Sequence, residues 1–163
     1  MSAARGHRYE TRVVWSGASR GPTKTYAAYS REHTIEAGGK PALTGSADPA
    51  FRGDASLYNP EELLLASLSA CHLLTYLALC SLEGIGVVSY VDDASATMTE
   101  TDGAGRFVEA VLRPQVEIDD ERVERAMVLH DDARTQCFVA NSVNFPVEHQ
   151  PVIRRASLRT QPP

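Results

Sequence analysis

The sequence predicts an α+β fold, and three observations carry that expectation. Strand-like runs rich in β-branched and aromatic residues open the chain, one long leucine-rich helix with clear start and stop signals follows, and two long β-type runs joined by an Asp-Gly step precede a second helix. Tyr9 to Trp15 (YETRVVW) reads as the first strand, and Ser16 to Pro22 supplies turn formers. Thr23 to Ser30 (TKTYAAYS) and His33 to Ala37 (HTIEA) continue the strand-like pattern up to Gly38-Gly39, which together suggests an antiparallel meander. Residues 40–58 show neither a helical nor an alternating period and are expected to form a loop.

The central helix is the clearest element. Asn59-Pro60-Glu61-Glu62 places a cap, a proline at the first helical position and two carboxylates at the positive end of the helix dipole. Leu63, Leu64, Leu65, Leu68, Leu73, Leu74, Leu77 and Leu79 then cover nearly all azimuths, the pattern of a helix buried on most sides. Gly84 and Gly86 supply the stop, so the helix is expected from Pro60 to Glu83, about 36 Å at 1.5 Å per residue.

Val87 to Glu100 and Gly105 to Ile118 read as one antiparallel ribbon turned by Thr101-Asp102-Gly103-Ala104. Asp119-Asp120 is expected to open a second helix through Asp132, with Val123, Ala126, Met127 and His130 along one face. Cys137 to Val143 suggests a further turn or two of helix, Pro146 to Arg154 a final edge strand, and residues 156–163 a frayed polar tail. A chain of 163 residues with this pattern is expected to form one domain, spanning residues 1–155.

Composition narrows the function classes. Hydrophobic residues make up 43% and charged residues 23%, the balance of a globular protein. With 16 Lys plus Arg against 21 Asp plus Glu the net charge is −5, and no basic cluster suits a nucleic-acid partner. The N-terminal residues lack the apolar run of a secretory signal and no stretch of about 20 apolar residues is evident, so a cytoplasmic protein without a membrane partner is expected.

Three cysteines are too few, and odd in number, for a disulfide scaffold, so each is either reactive or packed. Cys71 lies in the middle of the leucine-rich helix, where a cysteine is ordinarily a small core residue and the helix dipole does not reach. His72 points about 100° away around the helix and reads as packing. Cys80 falls on the opposite face, about 13 Å along the axis, and reads as structural. Cys137 follows a polar stretch and is expected near a helix start, where both charge and access favour thiol chemistry. No C-x-x-C, H-x-x-x-H, phosphate-binding glycine loop, G-x-S-x-G elbow or dinucleotide fingerprint occurs, so no metal and no cofactor is expected.

The run Asn59-Pro60-Glu61-Glu62-Leu63-Leu64-Leu65-Ala66-Ser67-Leu68-Ser69-Ala70-Cys71-His72 resembles the OsmC/Ohr family, the osmotically inducible and organic hydroperoxide resistance proteins, and it looks closest to the OsmC-like branch. The resemblance extends over nearly the whole chain, to the segment Cys137-Phe138-Val139-Ala140-Asn141-Ser142-Val143. It implies an intertwined homodimer in which sheets wrap long central helices and two active sites lie at the interface. It also implies a thiol-dependent peroxidase acting on organic hydroperoxides, with Cys71 as the peroxidatic and Cys137 as the resolving cysteine. The two would form a disulfide that an external dithiol reduces.

Glu61 matches the family's active-site glutamate. Ten residues of straight helix span about 15 Å, so Glu61 would meet Cys71 only from a second subunit or through a bend. The activating arginine of the resemblance falls on Arg20 in Gly17-Ala18-Ser19-Arg20-Gly21 or on Arg31 in Tyr29-Ser30-Arg31. The family's second cysteine is commonly followed by proline, whereas Cys137 is followed by Phe138. A non-catalytic module for an apolar small molecule and a redox sensor are the rival readings of the same residues.

Overall fold

The computed structural model describes residues 6–156, which leaves residues 157–163 of the expected tail outside the described residues. The chain divides into two compact units at Leu63/Leu64. In the first, β1 (Arg12–Val14), β2 (His33–Glu36) and β3 (Leu43–Gly45) form an antiparallel sheet in that order. The meander is therefore present, but Thr23 to Ser30 is not one of its strands. Arg31 sits over the rings of Tyr26 and Tyr29, at 4.7 and 3.9 Å, and donates to both of their carbonyl oxygens, which curls that segment into turns. The expected loop over 40–58 contains β3 and a 3₁₀ turn at Pro49–Phe51, started by Asp48 accepting from the Ala50 N–H.

Helix α1 runs Pro60–Leu82. Its start is a reciprocal cap: Asn59 Oδ1 accepts from the Glu62 N–H at 2.8 Å, and Glu62 Oε2 accepts from the Asn59 N–H at 3.1 Å. Its stop is Gly84, whose φ of +67° a side chain would strain, with the Ile85 N–H closing back onto the Cys80 carbonyl at 2.9 Å. By length and composition α1 could also cross a bilayer, a property the sequence reading found in no segment. Within the single chain its burial follows one stripe, Leu68, His72, Tyr76 and Cys80, while Leu74 is 66% exposed.

In the second unit the expected ribbon is broken into two sheets. β4 (Val87–Asp92) pairs antiparallel with β7 (Pro114–Ile118), and β5 (Ser95–Thr101) with β6 (Ala104–Leu112). The hairpin turn between β5 and β6 has Asp102 and Gly103 at positive φ, as the Asp-Gly step predicts. The C-terminal strand is divided as well: β8 (Val147–His149) runs parallel to β6 and β9 (Val152–Arg155) parallel to β7. All three breaks fall on one line. Arg113 secures it by donating its N–H to Asp92 and its guanidinium to the Asp93 carbonyl and Ser95 Oγ, and Pro114 and Pro151 flank it.

Helix α2 spans Val123–Gln136, later than the predicted Asp119–Asp132. Asp120 is held in a turn by the Arg122 N–H and guanidinium, which delays the helix start. Its buried face is Ala126, Leu129, His130 and Ala133, and the expected Met127 faces outward. Ala126, Leu129 and Ala133 pack with Tyr76, Cys80, Val116 and Ile118 in the core of this unit. Of the helical turns expected after Cys137, only a 3₁₀ turn at Ala140–Ser142 forms.

Candidate active site

Cys71 and Cys137, far apart in sequence, meet in the second unit. Cys71 lies on α1 half-buried, and Cys137 caps the C-terminal end of α2 at 1% exposure; both thiols are free. The sequence reading put Cys137 at a helix start. Instead it ends one helix and leads into the 3₁₀ turn, with the Asn141 N–H bonded to its carbonyl at 3.0 Å. The backbone N–H groups of Ala140 and Val139 favour the thiolate of Cys137, so the partial positive charge expected of a helix start comes from that turn.

Burial dominates the electrostatics of Cys137. Removal from water pushes its thiol up to about 11, the two N–H groups oppose the shift, and the neighbouring Cys71 sulfur adds to it. At neutral pH Cys137 is therefore a protonated thiol beside Cys71. Cys80 takes no part: it is fully buried beside Tyr76, and burial pushes its thiol up as well.

Near Cys71 the helix is fixed by polar ties. Thr75 Oγ1 donates to the Cys71 carbonyl at 2.9 Å, and Ser69 Oγ donates to Asp92 Oδ2 at 2.5 Å. Asp92 Oδ1 also accepts the Arg113 N–H at 2.6 Å, which links α1 to the line where the sheets break.

The other three expected residues belong to the first unit. Arg20 pairs with Glu32 at 2.7 Å, not with Glu61. Arg31 is held at 2.6 and 2.5 Å by the carbonyls of Tyr29 and Tyr26 and flanked by their rings. Glu61 Oε2 is buried and has no hydrogen-bond partner among the described residues. The expected Arg–Glu61 pair is thus not formed, because each arginine is satisfied by partners closer to it in sequence.

The sequence reading missed a group of three histidines, two of them fully buried. His72, His130 and His149 come from α1, α2 and β8, and their rings stack against one another and Tyr76. His130 was legible as an inward residue of α2, but nothing in the spacing joins residues 72, 130 and 149. Among the described residues no three His, Cys, Asp or Glu side chains are arranged to hold a metal ion.

Residues 53–151 match the family model described as OsmC-like protein. An OsmC-like protein of unknown function from Vibrio cholerae is 28% identical, covers 90% of this chain and 100% of its own, and superposes with a TM-score of 0.79. An organic hydroperoxide resistance protein OsmC from Legionella pneumophila is 15% identical, with coverage of 92% and 98% and a TM-score of 0.64. The organic hydroperoxide resistance protein OhrB of Bacillus subtilis is 17% identical, with coverage of 91% and 98% and a TM-score of 0.60. No curated protein matches the chain. The family match covers more than half the sequence and contains Cys71, Cys137 and the helix between the caps, and the folds agree along nearly the full length, so the chain belongs to the OsmC-like family.

Proposed function

We propose that the protein is a thiol peroxidase that reduces organic hydroperoxides. The observation that carries this reading is the apposition of a half-exposed Cys71 with a buried, protonated Cys137. The Cys71 thiolate attacks the distal peroxide oxygen, the O–O bond breaks, and the alkoxide leaves as an alcohol after taking a proton. The resulting Cys71 sulfenic acid condenses with Cys137, releasing water and forming the Cys71–Cys137 disulfide. An external dithiol returns both sulfurs to thiols by two exchange steps. The hydroperoxide names carried by the Legionella and Bacillus proteins support this reaction class. The leucines of α1 supply apolar surface for an alkyl group, which favours organic peroxides over hydrogen peroxide.

A cation must keep Cys71 charged, since a mid-helix thiol gains little from the dipole. Arg20 is the better candidate: its single ion pair with Glu32 is half-exposed, whereas Arg31 is committed to two carbonyls and two rings. The unpartnered Glu61 oxygen is the natural acceptor for an arginine at the moment of reaction. The outer leucines of α1 are read as the face of a homodimer, which would bury what one chain leaves exposed.

Purified protein, cumene hydroperoxide and a dithiol test the reading. Peroxide loss over many turnovers is expected, abolished in Cys71→Ser; unchanged peroxide, or equal turnover by Cys71→Ser, refutes it. A redox sensor is the second reading, favoured by the burial of Cys137, whose thiol, pushed up to about 11, makes a slow leaving group when a reductant attacks Cys71. Its signature is a single stoichiometric oxidation without further cycles.

A further inference from the structure

Three imidazoles that the proposed chemistry does not use lie together between the cysteine-bearing helices. His72 Nε2 and His130 Nδ1 are 3.0 Å apart, with ring centroids at 5.3 Å and planes 13° from parallel. The His149 ring stands 4.2 Å from that of His72, and Tyr76 stacks on His130 at 3.8 Å. His72 is 0% and His130 2% exposed. One proton serves the contact between them, so one ring donates and the other accepts. His72 Nδ1, His130 Nε2 and both nitrogens of His149 have no hydrogen-bond partner among the described residues.

Burial favours the neutral form of such a stack. The groups facing it are Tyr76, Tyr90 and Cys80, which carry no charge, and around His149 the cation of Arg134 and the carboxylates of Asp92 and Asp131. His72 and His130 therefore have no carboxylate to compensate a proton, and burial followed by the neighbouring imidazoles depresses each to about 3. The stack also bridges the elements that bear the thiols: His72 adjoins Cys71, and His130 precedes Cys137 by about two helical turns on α2.

We propose that the His72–His130–His149 stack is an acid-sensitive latch: neutral, it keeps α1 and α2 closed with Cys71 against Cys137, and protonated, it parts them and blocks disulfide formation. The latch deepens the thiol-pair reading, on which it rests for its output. The direction follows from linkage. A histidine depressed in the closed form favours closure fully above its free value of 6.5, and that preference is lost as pH falls toward 3. At pH 5 the open form gains on the order of 30-fold per imidazole, ten raised to the difference between 6.5 and 5.

The test equilibrates the reduced full-length chain with glutathione and its disulfide at pH 7.5 and 5.0, with the Cys71–Cys137 disulfide quantified by mass spectrometry. The wild-type effective thiol concentration is expected to fall at pH 5.0 by a factor at least tenfold larger than that of His130→Phe, which keeps His72 and His149 but has one ring fewer to protonate. An equal fall in both overturns the latch. A second measurement needs no variant: 4,4′-dithiodipyridine, which titrates thiols in acid, should label Cys137 slowly at pH 7.5 and at least tenfold faster at pH 5.0. Persistent protection at pH 5.0 overturns the latch even where His130→Phe fails to fold or no disulfide forms at either pH. A disulfide without peroxide turnover removes the peroxidase reading and leaves the latch standing.

Discussion

Replacing Asp92 by alanine should cost about 3 kcal/mol, because one carboxylate ties together three elements of the second unit. Its Oδ2 accepts from Ser69 on α1 at 2.5 Å, and its Oδ1 accepts the Arg113 N–H at 2.6 Å, where β6 passes into β7. Hydrogen bonds to a charged group contribute roughly 1.5–3 kcal/mol each, and Asp92 is only half-buried, so the lower figure applies to both. Asp92→Asn keeps one oxygen for Arg113 and turns an amide toward Ser69, whose hydroxyl can rotate to accept, so its cost is about 1 kcal/mol. Ser69→Ala should cost about 1.5 kcal/mol and, combined with Asp92→Ala, add nothing further. Urea unfolding of the reduced protein at pH 7.5 measures all three, provided the slope is unchanged between variants. Asp92→Ala within 0.5 kcal/mol of wild type, or as stable as Asp92→Asn, would refute the account of how the Cys71 segment is anchored.

Other expectations are simpler. Leu68→Ala, at 1% exposure on the buried stripe of α1, should lose about 3 kcal/mol in the same assay. Asn59→Ala removes the α1 cap and should lose about 1 kcal/mol, while Asn59→Asp should retain most of it. Stability should fall between pH 7.5 and 5.0 by about 2 kcal/mol for each of His72 and His130, since the unfolded chain binds protons that the folded chain refuses; a flat profile contradicts their burial as neutral rings. Disulfide formation from pre-formed Cys71 sulfenic acid should quicken about tenfold per pH unit between 7 and 9, below the value of about 11 for Cys137, and a stopped-flow rate independent of pH would show that burial does not hold that proton.

The legible parts of the fold were those set by local chemistry. Asn59-Pro60 and Gly84 bracket α1 because caps and stops act within a few residues, and Asp102-Gly103 turns a hairpin for the same reason. The misread parts were decided by contacts that spacing does not encode. Tyr26 and Tyr29 looked like strand residues, but their rings serve Arg31. A continuous β pattern hid the break at Arg113, which only the distant carboxylate of Asp92 explains. At the site, the cysteine pair was legible only through the motif, since a cysteine amid leucines reads as core. The histidine stack was not legible at all, because it joins residues 72, 130 and 149 from three elements.

In the proposed cycle, the asymmetry of the two thiols sets the order in which they would react. A peroxide must reach the sulfur it oxidises, and Cys71 is half-buried while Cys137 is at 1% exposure. A thiol pushed up to about 11 is also a poor first nucleophile at neutral pH, so in the proposed cycle oxidation at Cys71 would precede attack by Cys137. The same geometry constrains the return. An external thiolate would attack the accessible sulfur, so the mixed disulfide would form on Cys71 with Cys137 as the leaving group. A thiolate of such basicity leaves slowly unless it is stabilised, and the Ala140 and Val139 N–H groups, which favour the charged form of Cys137, would stabilise it. The 3₁₀ turn after Cys137 would thus matter most in the reductive half of the proposed cycle, when negative charge develops on a buried sulfur.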